Sequence, residues 1–490
     1  MSPDKETHTS RTLTVTFDAR ALDGTRMGTQ VHVLELVRAL ARGGRLELRV
    51  LVRGEKIDRD TLGLLSGLPD TEILDARDVT EDTRRSAVFH RPLQTFSPED
   101  VALACDLGER IVLSQLDLIA YGNPDYFPDA QAYADYRRAS RHGMVAAERV
   151  VVFSAHTRGE LLARNLVEDE RIAIVAPGLD HRPPTAEPRR PAGLEERADG
   201  GFLLCLGADY AHKNRVFALE LLAQLRARHG WRGELVFVGA HVAHGSSQRS
   251  ERELLDAHPE LRASVSDLGP VDEAEKAWLT ARTAAIVYPS LYEGFGLVPF
   301  ESGLQGVPCL FAARSSLAEG AIAKAATILP EDPVRSAAAA HPLLVDPEAR
   351  AAHVRTLAEA AQGLTWERAA TAMLEIYREA ACAPVRIAAT LSRDAVARER
   401  ELAAARREVV QMLIDERELV LHDYNELLAE VGAGRSLIGP RGSLPEDLQR
   451  ALLALSAHPA LSRPLYGLAA GLFAIARAVA RAVRRPFRRA

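Results

Sequence analysis

The chain has 490 residues, which at roughly 100–200 residues per domain predicts two to four domains. Its 47% apolar and 26% charged residues are an ordinary globular balance, able to bury sizeable cores. A formal net charge of −6 is mild for this length and gives no reason to expect a nucleic-acid partner. In chain order, the polar stretch from Met1 to Arg11 has no apolar centre and does not read as a signal peptide. Leu13, Val15 and Phe17 alternate with threonines as a strand, and Asp18 to Thr29 is a loop carrying Gly24 and Gly28. Val31, Leu34, Val37, Leu40 and Ala41 then fall at helical spacing, closed by Gly43 and Gly44. Further strands are expected at Leu46–Val52, Ile111–Leu113, Arg149–Phe153 and Ile172–Val175. This alternation predicts a parallel sheet covered by helices.

Four prolines (Pro183, Pro184, Pro188, Pro191) among many charges mark 181–200 as a linker. A second series of strands and helices follows, with strands at Phe202–Leu206, Leu235–Val238, Ala284–Tyr288 and Cys309–Ala312 and a helix near Val216–Arg228. The predicted fold is therefore α/β, two doubly wound, Rossmann-like domains over 12–180 and 201–383. Beyond it, 392–431 reads as a charged amphipathic helix that either pairs with a second helix, as in a homodimer, or packs back on the body. The tail 464–490 is a basic amphipathic segment with six arginines crowded at its end. It suits an anionic membrane surface, or else is a packed helix with a solvated basic end. No run of about 18 apolar residues occurs, so no membrane span is expected, and the protein is read as cytoplasmic, at most peripheral at the inner face of the membrane.

The four cysteines, Cys105, Cys205, Cys309 and Cys382, form no CxxC or Cys/His cluster, which argues against a zinc site or a disulfide framework. Asp58-Arg59-Asp60 is a DxD by letter, but its charged, turn-like setting reads as surface, and no metal and no cofactor are expected.

The chemistry concentrates in Pro289-Ser290-Leu291-Tyr292-Glu293-Gly294-Phe295-Gly296-Leu297-Val298-Pro299-Phe300-Glu301. It runs from a strand end through a glycine-punctuated loop to a helix N-terminus, where free N–H groups suit a phosphate. Gly294 and Gly296 allow close backbone approach, and Glu293 and Glu301 can accept hydrogen bonds from sugar hydroxyls. A second signal, Gly207-Ala208-Asp209-Tyr210-Ala211-His212-Lys213-Asn214, places a lysine between a strand end and a helix.

The first of these segments resembles the Glu-x7-Glu motif of the retaining family 4 glycosyltransferases, which have the GT-B fold. The resemblance spans roughly Thr12 to Ala380 and is tight from Phe202 to Glu319. It implies an active site in a cleft between the two domains, with a nucleotide sugar on the second and the acceptor on the first. By it, Lys213 binds the donor diphosphate, Glu293 the donor sugar and Glu301 the ribose, with Gly28, Gly207, Gly294, Phe295, Gly296 and Leu297 at the donor. Lys213 and Glu293 are the implied catalytic residues. It also implies hexose transfer (mannose or glucose) with retention to a glycan or lipid-linked acceptor in cell-surface polysaccharide or glycolipid synthesis.

The chain departs from the pattern twice. Leu116 stands where family members carry a histidine near the transferred sugar, although Asp117 is kept, and Ala208 and Asp209 occupy a region where many carry an arginine. His90, Gln115 and Asp117 are the acceptor-side candidates, although a histidine placed like His90 is more often a satisfied structural one. Glu319 matches a downstream position where a cleft-wall role is expected. The departures leave open an alternative, a weak or inactive nucleotide-sugar-binding scaffold of the same fold.

Overall fold

The computed structural model describes residues 13–23, 28–80, 82–181, 187–194 and 201–384, and scattered positions from 386 to 412. The first domain is one parallel sheet of β1 (Leu13–Asp18), β2 (Leu46–Val52), β3 (Thr71–Asp75), β4 (Ser86–Arg91), β5 (Gly108–Ser114), β6 (Arg149–Val152) and β7 (Ile172–Ile174), in the order β3-β2-β1-β4-β5-β6-β7. The second is a parallel sheet of β8 (Phe202–Leu206), β9 (Glu234–Val238), β10 (Val265–Asp267), β11 (Ala285–Tyr288) and β12 (Cys309–Phe311), ordered β10-β9-β8-β11-β12. Near-continuous apolar runs such as Leu203, Leu204 and Cys205 are buried, as strands covered by helices on both faces require. The expected strands are present, Leu46–Val52 and Phe202–Leu206 with the ends expected and the others with an end shifted. The central strand β4 and the edge strands β3 and β10 were not anticipated; β3 and β10 are short, and their Thr-Glu-Ile-Leu-Asp and Val-Ser-Asp sequences show no apolar/polar alternation.

The strand order reverses between β1 and β4 in the first sheet and between β8 and β11 in the second. Ligand crevices in open α/β sheets lie beyond the strands' carboxyl ends at such points. In the first domain a closed ionic quartet fills part of this edge. Arg20 and Arg91 both pair with Asp18, at 2.8 and 2.7 Å, and both with Asp100, at 3.0 and 2.8 Å. Burial works against the Asp18 charge, but the two guanidinium groups outweigh it and hold the carboxyl at about 2. Asp100 is fixed by a capping box with Ser97 at the start of helix Pro98–Leu107.

The chain passes between the domains twice, and the two crossings lie side by side. Leu179 N–H donates to Leu364 O (2.9 Å), and Trp366 N–H donates to Asp180 Oδ1 (2.7 Å). A Cβ on Gly178 would sit 2.3 Å from the Trp366 nitrogen, so only glycine fits. The boundary expected at 383 is corrected here. Helix Trp366–Cys382 follows the second domain in sequence but buries Trp366, Met373, Leu374 and Tyr377 in the core of the first. The described part of the expected linker, 187–194, is attached to the second domain, with Leu194 in that domain's core. Asp58 is a helix N-cap, its side chain accepting from Thr61 N–H at 2.8 Å. The 392–431 stretch is described only at scattered positions as far as Met412, all helical, and the tail 464–490 lies outside the described residues. Among the described residues no helix is long and apolar enough to cross a membrane.

Candidate functional site

Two loops of the second domain meet at its switch point. The loop after β8 turns at Gly207 (φ +128°), where a side chain would be strained. It ends in the tight turn Ala211–Lys213, closed by Asn214 in the left-handed region. The loop after β11 is laced to it: Leu291 N–H and the Ser290 hydroxyl both donate to His212 O, at 2.8 and 3.2 Å. This lacing brings Lys213 onto Glu293. The ammonium donates to Glu293 Oε1 at 2.7 Å and to the Tyr288 hydroxyl at 3.2 Å. Burial works to raise the Glu293 pKa, but the Lys213 charge outweighs it and holds the carboxyl below its ordinary range.

The rest of the Glu-x7-Glu segment is held from below. Glu293 N–H donates to Ser315 Oγ (2.7 Å), and the Ser316 hydroxyl donates to Glu293 O (3.0 Å) and Phe295 O (2.9 Å). Phe295 stacks on Phe300 at 5.3 Å. Gly296, with φ +82°, is the N-cap of helix Leu297–Leu304, and a Cβ there would overlap Leu317. Glu301 lies one turn into that helix, half-buried, with no hydrogen bond or ion pair from its side chain among the described residues. Ala208 and Asp209, in the region of the family arginine, have a different task. The buried Asp209 carboxylate accepts from Val242 N–H (2.8 Å) and pairs with His241 Nδ1 (3.0 Å), fastening the 240–247 loop to the Lys213 loop.

The first domain closes over these loops. Gly294 lies against the end of β5, where an added Cβ would be 2.2 Å from Leu116 O and 3.1 Å from Asp117 Cβ. Leu118 N–H donates to the Tyr292 hydroxyl (3.4 Å), which donates in turn to Glu160. The Tyr126 hydroxyl bonds His212 Nδ1 at 2.6 Å. Glu319 accepts from Ala155 N–H (3.2 Å) and His156 N–H (2.5 Å), capping helix Ala155–Ala163 from the other domain. Tyr126 and Tyr292 carried no signal in the sequence, since only the docking of the two domains gives them partners.

Of the acceptor-side candidates, Asp117 remains at the cleft, Gln115 is corrected, and His90 takes the structural role that was its more frequent reading. His90 is fully buried, bonded through Nε2 to Ser114 Oγ (3.0 Å) and through Nδ1 to the Tyr377 hydroxyl (2.7 Å). Burial drives its pKa down to about 3, so it is a neutral, satisfied core histidine. Gln115 is also fully buried and donates its amide to Asp117 O at 2.8 Å, so it presents no surface to an acceptor. The Leu116 side chain is buried in the first core. Gly28 opens helix Gly28–Arg42 with free space about it, and residues 24–27 of its loop lie outside the described residues. Among the described residues no group of three or more His, Cys, Asp or Glu is arranged to hold a metal ion.

Asp117 accepts from Ile119 N–H at 2.9 Å and from Gln94 Nε2 at 3.4 Å. Burial, with a smaller push from Glu293, raises its pKa from 3.8 to about 6. The folded chain therefore retains a proton that the unfolded chain releases between those values. Stability from this group is fully present below about pH 4 and lost as pH rises through about 6. Asp117→Asn keeps an acceptor for Ile119 without the charge. It should stabilise the protein at pH 7 by about 1–3 kcal/mol and leave it unchanged at pH 4. Denaturant melts at the two pH values measure this, and equal midpoints at pH 7 would exclude a raised Asp117 pKa.

Comparison with known proteins fits this geometry. A family model described as family 4 glycosyltransferase in conflict systems matches residues 123–373, just over half of the chain. The D-inositol 3-phosphate glycosyltransferase of Frankia alni is 31% identical over 252 residues, 48% of this chain and 60% of that protein. The chain thus spans less than two thirds of the length of this curated relative. Among solved structures, sucrose-phosphate synthase from Thermosynechococcus elongatus superposes with a TM-score of 0.54 at 20% identity, over 75% of this chain and 98% of that one. Anabaena HepE in complex with UDP-glucose gives a TM-score of 0.53 at 14% identity, over 74% of this chain and 100% of that one. At these identities the solved structures speak to the fold, which is GT-B. With its two facing doubly wound domains and the family match across the second, the chain belongs to the family 4 glycosyltransferases, of the kind described from conflict systems.

Proposed function

We propose that the chain transfers a hexosyl group from a nucleotide-diphosphate sugar to an acceptor hydroxyl, with retention of configuration and without a metal ion. The observation that carries this reading is the Lys213–Glu293 pair (2.7 Å) beside the free helix N-terminus at Gly296, facing Asp117 of the other domain. An ammonium and unpaired backbone N–H groups are what a leaving diphosphate needs as charge develops on it. Lys213 has three donors, of which two are used within the protein, and the third serves a phosphate oxygen. Glu293 accepts from a sugar hydroxyl, and Glu301 from the ribose. The leaving diphosphate takes the proton of the attacking hydroxyl as the new glycosidic bond forms on the same face. Domain closure limits hydrolysis by excluding water.

The acceptor we infer is a glycan or lipid-linked hydroxyl, reached with the basic tail 464–490 on an anionic membrane. The description of the matching family favours a second setting, in which the acceptor belongs to an antagonist in a conflict rather than to the cell's own surface.

A thermal-shift panel of UDP-, GDP-, dTDP- and ADP-sugars, with Glu301→Ala as the control, tests the donor site; HepE, crystallised with UDP-glucose, makes the uridine sugar the first to try. A ligand at about 100 times its dissociation constant adds roughly 2.7 kcal/mol of stability. The expected result is a shift with one nucleotide sugar that is lost in the variant. No shift with any of them at millimolar concentration would overturn the assignment.

A further inference from the structure

Lys213 and Glu293 each have a sequence neighbour that bonds across the cleft. His212 meets Tyr126, and Tyr292 meets Leu118 and Glu160. The first of these contacts is built with care. Tyr126 ends the turn Pro124–Tyr126, which is capped by Asn123 and follows β5. Its ring is 5.1 Å from that of Tyr210, and Tyr210 in turn stacks on His212 at 5.6 Å. Gly245 of the second domain lies against the Tyr126 ring so closely that a Cβ would be 2.2 Å from Cδ1. Burial, with the charge of Lys213 beside it, drives the His212 pKa down to about 4. The imidazole is therefore neutral, its Nδ1 and the Tyr126 hydroxyl share a hydrogen bond at 2.6 Å, and the His212 backbone N–H donates to the same hydroxyl at 3.4 Å. The His212 carbonyl meanwhile receives Leu291 and Ser290 of the Glu293 loop. One tyrosine of the acceptor domain thus grips the residue that joins both donor loops.

Building on the transferase reading above, we propose that Tyr126 is a positioning residue: it converts closure of the two domains into the placement of Lys213 against the donor diphosphate. Tyr126 touches no reacting atom in this role. With the domains apart, the 211–214 turn loses its bond to the first domain and Lys213 keeps only Glu293 and Tyr288. With them together, the backbone and ring of His212 are both held, and the adjacent ammonium is fixed with them. Catalytic geometry tolerates little error, a misplacement of about 1 Å being able to lower a rate roughly 100-fold.

The test is Tyr126→Phe, which keeps the ring packing and removes the hydroxyl. With the donor identified by the panel above, kcat should fall about tenfold while the donor KM and the Kd for the nucleoside diphosphate stay within twofold. His212→Phe should fall alike, and the double variant should be no worse than either single one, because both remove the same bond. A second readout needs no turnover. Adding UDP, or GDP if the panel selects it, should slow amide exchange in 119–127 of the wild type and leave Tyr126→Phe unaffected. A kcat within twofold of the wild type overturns the proposal. So do additive losses in the double variant, and so does equal exchange protection in wild type and variant. If the wild type shows a thermal shift with nucleotide but no protection at 119–127, the latch fails and the donor site stands. If there is no thermal shift at all, the donor-site reading has failed instead, and the proposal falls with it.

Discussion

Lys213→Ala lowers kcat by about 100- to 1,000-fold, the largest single loss expected in this protein, in line with the removal of one preorganised donor from a site of developing charge. Two effects combine. The ammonium that meets the diphosphate is gone, and Glu293 is left in its half-closed setting without the partner that held it ionised at 2.7 Å. A fully buried pair broken in this way costs about 3–5 kcal/mol, but the lysine side chain keeps 20% of its exposure, so on the order of 2 kcal/mol is expected here. The Glu293 pKa then climbs, because the burial that opposes ionisation is no longer outweighed. Consequently the variant's stability deficit narrows as pH falls and Glu293 takes up a proton. Steady-state kinetics, with denaturant melts at pH 7 and pH 4.5, measure both. A kcat within threefold of the wild type would remove Lys213 from the mechanism. Lys213→Arg is not expected to rescue, since a planar fork replaces a compact charge of different reach.

Gly294→Ala should lower kcat/KM by about 100-fold with little change in melting temperature. The backbone at Gly294 is not in the left-handed region, so strain of the chain itself is not the cause. The obstacle is across the cleft: the new methyl would lie 2.2 Å from Leu116 O, a backbone atom two residues past the end of β5. Leu116 follows Gln115, whose N–H donates to Val151 O at 2.8 Å, so this backbone has little room to yield; the domains must separate by roughly an ångström, the scale at which a rate falls about 100-fold. Neither core gains a cavity, which is why stability is largely kept. Kinetics beside a nucleoside-diphosphate titration separate the cases, since nucleotide affinity should survive when only the meeting of the domains is disturbed. Wild-type kcat/KM would show that the cleft need not close this tightly.

Much of the donor side was legible because it is local. A strand, a glycine loop and a helix start follow one another within 289–301, so spacing alone carries the Glu293, Gly296 and Glu301 arrangement. The acceptor side was not local. His90, beside a strand end, reads as an acceptor-side group or, more often, as a satisfied structural histidine, and the choice is made by Tyr377, which lies 287 residues away. Gln115 looks like a replacement for a missing histidine until the loop beneath it folds back through Asp117 O. Periodicity shows that one face of 366–382 is apolar, but not whose core it completes. The missing arginine near Ala208 has a physical counterpart in Asp209, which anchors its loop by accepting bonds instead of donating them to a ligand.

That last helix also sets a schedule for synthesis. The core around Val33, Leu36 and Val37 is filled in part by Met373, Ile376 and Tyr377. Although its whole sheet has been translated by Ile174, the first domain has an open apolar face until Ala380 has cleared the ribosome. Throughout the making of the second domain a nascent chain therefore carries a half-finished first one, a substrate for chaperones during that interval. A chain cut within 181–200 would leave the first domain in that unfinished state permanently.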